Sequence, residues 1–110
     1  MRYHIHYFNP KVRADIVDWP TSVLADYARL IELLMDFGPA VRMPHSRALG
    51  QGLFELRARG ADGNGRAFFC FLGGQDVIIL HSMVKKSRAI PSSHLRLARE
   101  RMKEIMKCRT

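Results

Sequence analysis

Several things are scarce in this chain, and each scarcity removes a class of function. It has two cysteines, Cys70 and Cys108, in 110 residues. Two unpatterned thiols suit a reducing cytoplasm better than a disulfide framework. No apolar run reaches the length of a membrane span, because charged residues interrupt every hydrophobic stretch. Met1-Arg2-Tyr3-His4 lacks the basic-then-apolar order of a secretory signal. A cytoplasmic protein with no membrane partner is therefore expected. CxxC pairs, GxGxxG, P-loop and nucleophile-elbow patterns are all missing, so no cofactor is expected. His4-x-His6 puts two imidazoles on one side of a strand, but no third ligand is near in sequence, so no metal is expected either.

Acidic residues are scarce in the second half. Residues 1–55 carry six Lys/Arg and six Asp/Glu, whereas residues 56–110 carry twelve and four. The whole excess of +8 thus lies after Leu56. A field concentrated on part of a small domain suits a polyanionic partner, giving affinity for phosphates without sequence reading. A solvated basic surface is the plainer alternative.

Hydrophobic content of 47% is enough for one core, and residues 1–110 are expected to form a single domain. No internal repeat, low-complexity segment or linker interrupts it. Residues 2–8 alternate and read as a strand. A shorter helix over 11–18 precedes a longer one over 20–37, where Leu24, Tyr27, Ile31, Leu34 and Phe37 recur at helical spacing before Gly38-Pro39. Residues 38–52 read as a long connection. Strands follow at 53–59, 66–72 and 76–84, joined by glycine-rich turns at 60–65 and 73–75. Pro91 opens a last helix with Leu95, Ala98, Met102 and Ile105 on its apolar side. Cys70 reads as core.

Strand side chains alternate faces, so hairpin length decides which residues share one. A six-residue loop at 60–65 would put Arg57 opposite Phe68 and Arg59 opposite Arg66. A two-residue Gly74-Gln75 turn would put Phe68 opposite His81. One face would then show Phe54, Leu56, Ala58, Ala67, Phe69, Phe71, Ile78, Leu80 and Val84, to be covered by the 20–37 helix. The other would show Arg57, Arg59, Arg66, His81 and Lys85. Taken singly, each has a plain reading: a solvated strand arginine, an arginine paired with Glu55, or a hydrogen-bonded core histidine. Their convergence points instead to an anion site.

The stretches Gly50-Gln51-Gly52-Leu53-Phe54-Glu55-Leu56-Arg57, Gly65-Arg66-Ala67-Phe68-Phe69, Leu80-His81-Ser82-Met83-Val84-Lys85-Lys86 and the Pro91-led helix resemble the RelE/ParE superfamily of toxins, in its phage-derived HigB-like branch. The resemblance covers most of the chain. It implies an α+β fold: a RelE-like antiparallel sheet of about four strands, N-terminal helices on one face, a C-terminal helix and an exposed basic face. It also implies a type II toxin that cuts mRNA in the ribosomal A site and is restrained by a cognate antitoxin, often of helix-turn-helix type.

Such cleavage uses the neighbouring 2′-hydroxyl as nucleophile, and needs charge stabilisation at phosphorus and proton transfer at both oxygens. By resemblance, Arg66, Lys85 and Lys86 stabilise charge and Arg57 orients the phosphate. His81, whose unperturbed pKa suits proton transfer near neutrality, is the candidate acid or base. Arg47, Arg59 and Arg88 are expected to bind RNA. Position 69 is Phe where relatives often carry Tyr, and no tyrosine follows Tyr27, so a late phenolic acid is missing. Two noncatalytic readings of the same face stand beside the nuclease: an inhibitor of the gyrase-directed type, and an RNA-binding domain.

Overall fold

A computed structural model describes residues 2–85 and 90–108 of the chain. Asn9 opens the first helix: its side chain accepts from the Val12 N–H at 2.9 Å, and Pro10 fills the first helical position. That helix, α1 (Pro10–Val17), follows strand β1 (His4–Tyr7). Helix α2 (Thr21–Phe37) buries Val23, Tyr27, Leu30 and Leu34. The buried stripe is therefore turned by about one residue from the expected one, leaving Leu24 and Ile31 at its flank and Phe37 58% exposed. Gly38 stops the helix at a positive φ of 51°, with the Tyr3 ring where a Cβ would sit. Strands β2 (Ser46–Gly50), β3 (Leu53–Gly60), β4 (Gly63–Phe71) and β5 (Asp76–Lys85) then precede helix α3 (Ser92–Cys108). Among the described residues, no helix is long and apolar enough to cross a membrane.

Among the described residues the sheet has five strands, in the order β1-β5-β4-β3-β2. This corrects the expected antiparallel sheet of about four strands in two respects. Strand β1 lies parallel to β5, so the sheet is mixed. Residues 46–50, expected as loop, form β2 against β3 through a turn in which Gln51 adopts a positive φ of 55°. Alternation within a segment reveals a strand but not its neighbour, and β2 is short, polar and on an edge.

The sheet carries a core on each face. Helices α1 and α2 cover Leu56, Ala58, Ala67, Phe69, Val77 and Ile79. Gly65 allows this close approach, because a Cβ there would lie 2.5 Å from the Trp19 ring. Helix α3 covers Leu53, Phe68, Cys70, Ile78 and Leu80 with Ala98 and Met102. The face expected to be exposed and basic is thus largely a second core, and its charges form a strip beside α3. Cys70 is buried there, as expected.

Register explains which residues changed sides. The first hairpin is tighter than expected: Gly60 pairs with Gly63 around Ala61 and Asp62, so Arg57 faces Arg66 and Arg59 faces Asn64. The even shift keeps all three arginines on one face. In the second hairpin, Phe71 pairs with Val77, and Leu72 N–H donates to the Asp76 carbonyl at 2.9 Å. The loop is therefore odd, which moves Ile78 to the α3 face and Val77 and Ile79 to the α2 face. A bulge at Leu80 then inserts one residue, so Phe68 still faces His81. Two irregularities cancel.

Candidate phosphate-binding site

Like charges directly opposite in a sheet repel, and Arg57 sits opposite Arg66. The compensation comes from Glu55, two residues earlier on the same face of β3 and 1% exposed. Arg47, on β2, is Glu55's register partner on its other side. The three guanidinium Nε atoms surround this carboxylate: Arg47 at 3.8 Å and Arg57 at 3.8 Å from Oε1, and Arg66 at 3.7 Å from Oε2. These separations are Coulombic contacts, too long for good hydrogen bonds. Accordingly Glu55 Oε2 and Arg57 Nε are buried with no hydrogen-bond partner.

Arg66 is 5% exposed and donates through Nη1 to the Gly65 carbonyl at 3.2 Å. Its pKa is lowered, first by burial; Glu55 opposes that shift, while Arg57, Arg59 and Arg47 add to it. Three guanidiniums against one carboxylate leave a local charge of +2. They line a cleft of about 290 Å³, walled by Leu49, Ile90 and Leu95. Arg57 also reaches out, its Nη1 3.6 Å from the Met43 sulfur.

Helix α2 fixes the hairpin that carries these groups. Asp26 Oδ2 accepts from the Arg59 backbone N–H at 2.7 Å, and Ser22 and Asp62 bond each other across the turn. On the other side α3 is fastened by Arg99, which donates to the carbonyls of Leu49 (2.8 Å) and Gly50 (3.2 Å).

The expected site residues therefore separate. Arg47, Arg57 and Arg66 come together. Arg59 shares their face but is exposed and does not line the cleft. His81 shares it too, yet it is drawn to α3: its Nε2 lies 2.7 Å from His94 Nδ1, and its ring stacks between Phe68 and His94. Burial, then the neighbouring His94 and Arg101, lower its pKa to about 4. Arg101 braces this corner by donating to the Leu80 carbonyl at 2.7 Å and lying over the Phe8 ring. Lys85 ends β5 opposite Asn64. Lys86 and Arg88 lie outside the described residues.

In the sequence Glu55 reads only as a counter-ion for one arginine. Its sequence signal was a charge amid Phe54 and Leu56 at the parity of Arg57. His94 had no such signal, since only the docking of α3 brings it to His81. Among the described residues no three His, Cys, Asp or Glu side chains gather as a metal site, and His6 bonds Asp76 at 3.0 Å.

Compared with known proteins, residues 14–103 match a family described as phage-derived protein Gp49-like (DUF891), a span that runs from α1 into α3 and includes the whole cleft. No curated protein matches the chain.

Proposed function

Because this chain belongs to the phage-derived Gp49-like family, we propose that it is the toxin of a type II toxin–antitoxin pair and cuts mRNA in the ribosomal A site. One observation carries this reading: a buried carboxylate among three arginines, with an unpartnered acceptor and an unpartnered donor in the same cleft. A ribose 2′-hydroxyl beside a phosphate supplies the complement of both. The hydroxyl donates to Glu55 Oε2, and a phosphate oxygen accepts from Arg57 Nε.

In the reaction the 2′-oxygen attacks the adjacent phosphorus and its proton passes to Glu55. Arg57 and Arg66 stabilise the charge that builds on the phosphoryl oxygens, in a site whose burial strengthens them. The bond from phosphorus to the 5′-oxygen breaks, that oxygen takes a proton from water, the resulting hydroxide takes back the proton held by Glu55, and a 2′,3′-cyclic phosphate and a free 5′-hydroxyl result. Arg47 and Arg59 bind the flanking backbone. By the family resemblance, Lys85 and Lys86 share in stabilising the charge on the phosphoryl oxygens and Arg88 binds RNA. His81, neutral at physiological pH and bonded to His94, holds the sheet against α3 rather than supplying a proton. The restraining partner is a cognate antitoxin, of helix-turn-helix type by the same resemblance.

The test is induction in cells followed by mapping of mRNA 5′ ends, with wild type beside Arg66→Ala and Glu55→Gln. Wild type is expected to arrest growth and produce codon-phased ends, and both variants to lose the ends. Growth arrest with no new ends would sink the nuclease. RNA binding without cleavage is the second reading. It is favoured by the engagement of His81 with His94, which leaves the cleft without an imidazolium acid.

A further inference from the structure

Sulfate and hydrogen phosphate are tetrahedral dianions of nearly the same size, and either would neutralise the local +2 of the arginine cleft. They differ in one respect: hydrogen phosphate carries an O–H and sulfate does not. Arginines alone cannot tell them apart, because a guanidinium only donates. The cleft also holds a group that can. Glu55 is 1% exposed, its carboxylate only accepts, and its Oε2 has no hydrogen-bond partner.

The surroundings make that oxygen count. Leu49, Ile90 and Leu95 wall the cleft, so water is poorly placed to mediate between an anion and the carboxylate. Arg57 Nε is also buried without a partner and lies 3.8 Å from the same carboxylate, so an unfilled donor and an unfilled acceptor stand together. The ring around Glu55 has two firm members and one loose one. The side chains of Arg57 and Arg66 are 18% and 6% exposed, whereas that of Arg47 is 53%. Their Nε contacts are roughly 1 Å longer than charge-assisted hydrogen bonds, so the guanidiniums are free to turn to a closer acceptor.

We propose that the arginine cleft is an anion site selective for a phosphate that brings a hydrogen, with inorganic hydrogen phosphate as its simplest ligand and sulfate refused. Entry draws Arg47 outward. Phosphate oxygens then accept from Arg57 and Arg66, and the P–O–H donates to Glu55 Oε2. A sulfate oxygen in that place sets its lone pairs against the carboxylate. One hydrogen bond to a charged group, against an acceptor left unfilled, corresponds to a preference of about tenfold or more. The inference rests on the phosphate reading of this cleft, though not on cleavage, and it narrows the substrate. An internal phosphodiester has no O–H of its own, so its hydrogen must come from the neighbouring 2′-hydroxyl, which RNA has and DNA lacks. Inorganic phosphate is accordingly a competitor of RNA at this site.

The experiment titrates the full chain calorimetrically with phosphate, arsenate, sulfate and selenate, at a mildly alkaline pH where all four are dianions and at ionic strength fixed with chloride. Arsenate carries the hydrogen but matches selenate in size, so the four probes separate hydrogen from radius. Phosphate and arsenate are each expected to bind about tenfold or more tightly than sulfate and selenate. Glu55→Gln, whose amide offers a donor beside its acceptor, should lose most of that preference by binding sulfate more tightly. The wild-type comparison needs no variant, so it decides the selectivity even if the Gln protein does not fold. Equal binding of all four by wild type, a division by size, or a Glu55→Gln protein that keeps the full preference overturns the selectivity and leaves the phosphate reading standing. That reading is judged apart: it fails if no anion binds wild type, or if Arg66→Ala binds phosphate as wild type does.

Discussion

Replacing Glu55 with Gln removes the one negative charge at the centre of the arginine cluster while keeping its shape. Each guanidinium lies 3.7–3.8 Å from a carboxylate oxygen. At an effective dielectric of about 20, a unit pair at that distance is worth roughly 4 kcal/mol before desolvation and mutual repulsion are counted. Arg47 has a side chain 53% exposed, so water screens its share. Arg57 and Arg66, at 18% and 6%, are the two that matter. Removing one partner of a buried ion pair costs about 3–5 kcal/mol, because the other charge remains unpaired. Gln keeps the volume and an acceptor oxygen, so the lower figure of about 3 kcal/mol applies. In a domain of this size that corresponds to a fall in Tm of roughly 12–20 °C.

The assay is calorimetric unfolding of both proteins across a sulfate series. An anion that fills the variant's cleft restores charge balance, and at a hundred times its Kd it returns about 2.7 kcal/mol. Sulfate should therefore raise the variant's Tm by more than that of wild type. A variant within about 2 °C of wild type, or equal gains from sulfate in both proteins, would refute the electrostatic account of the cluster.

Two further outcomes follow from the packing. His81 has a folded pKa of about 4 against an ordinary 6.5, so between those values the unfolded chain binds a proton that the folded one does not; stability should fall as pH drops from about 6.5 to 4, and His81→Phe should flatten that part of the curve in urea titrations run at several pH values. Gly65→Ala places a Cβ 2.5 Å from the Trp19 ring and should cost about 1–3 kcal/mol, read as a lower urea midpoint at unchanged m; an unchanged midpoint would mean that Trp19 is free to move away.

Much of the fold was legible in local patterns. Asn9-Pro10, Pro20 and Gly38 bracket the first two helices where the sequence places them, and the glycine-rich turns bracket the last three strands. Local patterns failed where the deciding partner is distant. Strand β2 has only an edge to show for itself, and the parallel placement of β1 depends on which strand lies at the far edge. The expected side of Ile78 and Leu80 was wrong because turn length and bulge are separate choices, visible only once pairs are formed. His81 nevertheless stayed on the arginine face, since those two changes offset each other.

The sequence by itself determined that the excess of positive charge lies after Leu56 and pointed to Arg57 and Arg66 sharing a face, from which a phosphate-bearing partner is an expectation. Alternation in strands and the placement of charges are properties of neighbouring residues, so they can be read in order. Only the tertiary structure decided that Glu55 is the hub of three arginines drawn from three strands. Only it showed that α3 claims His81 and most of the face once expected to be open. Those features depend on register and on helix docking, and both are settled by burial across the whole molecule rather than by any one segment.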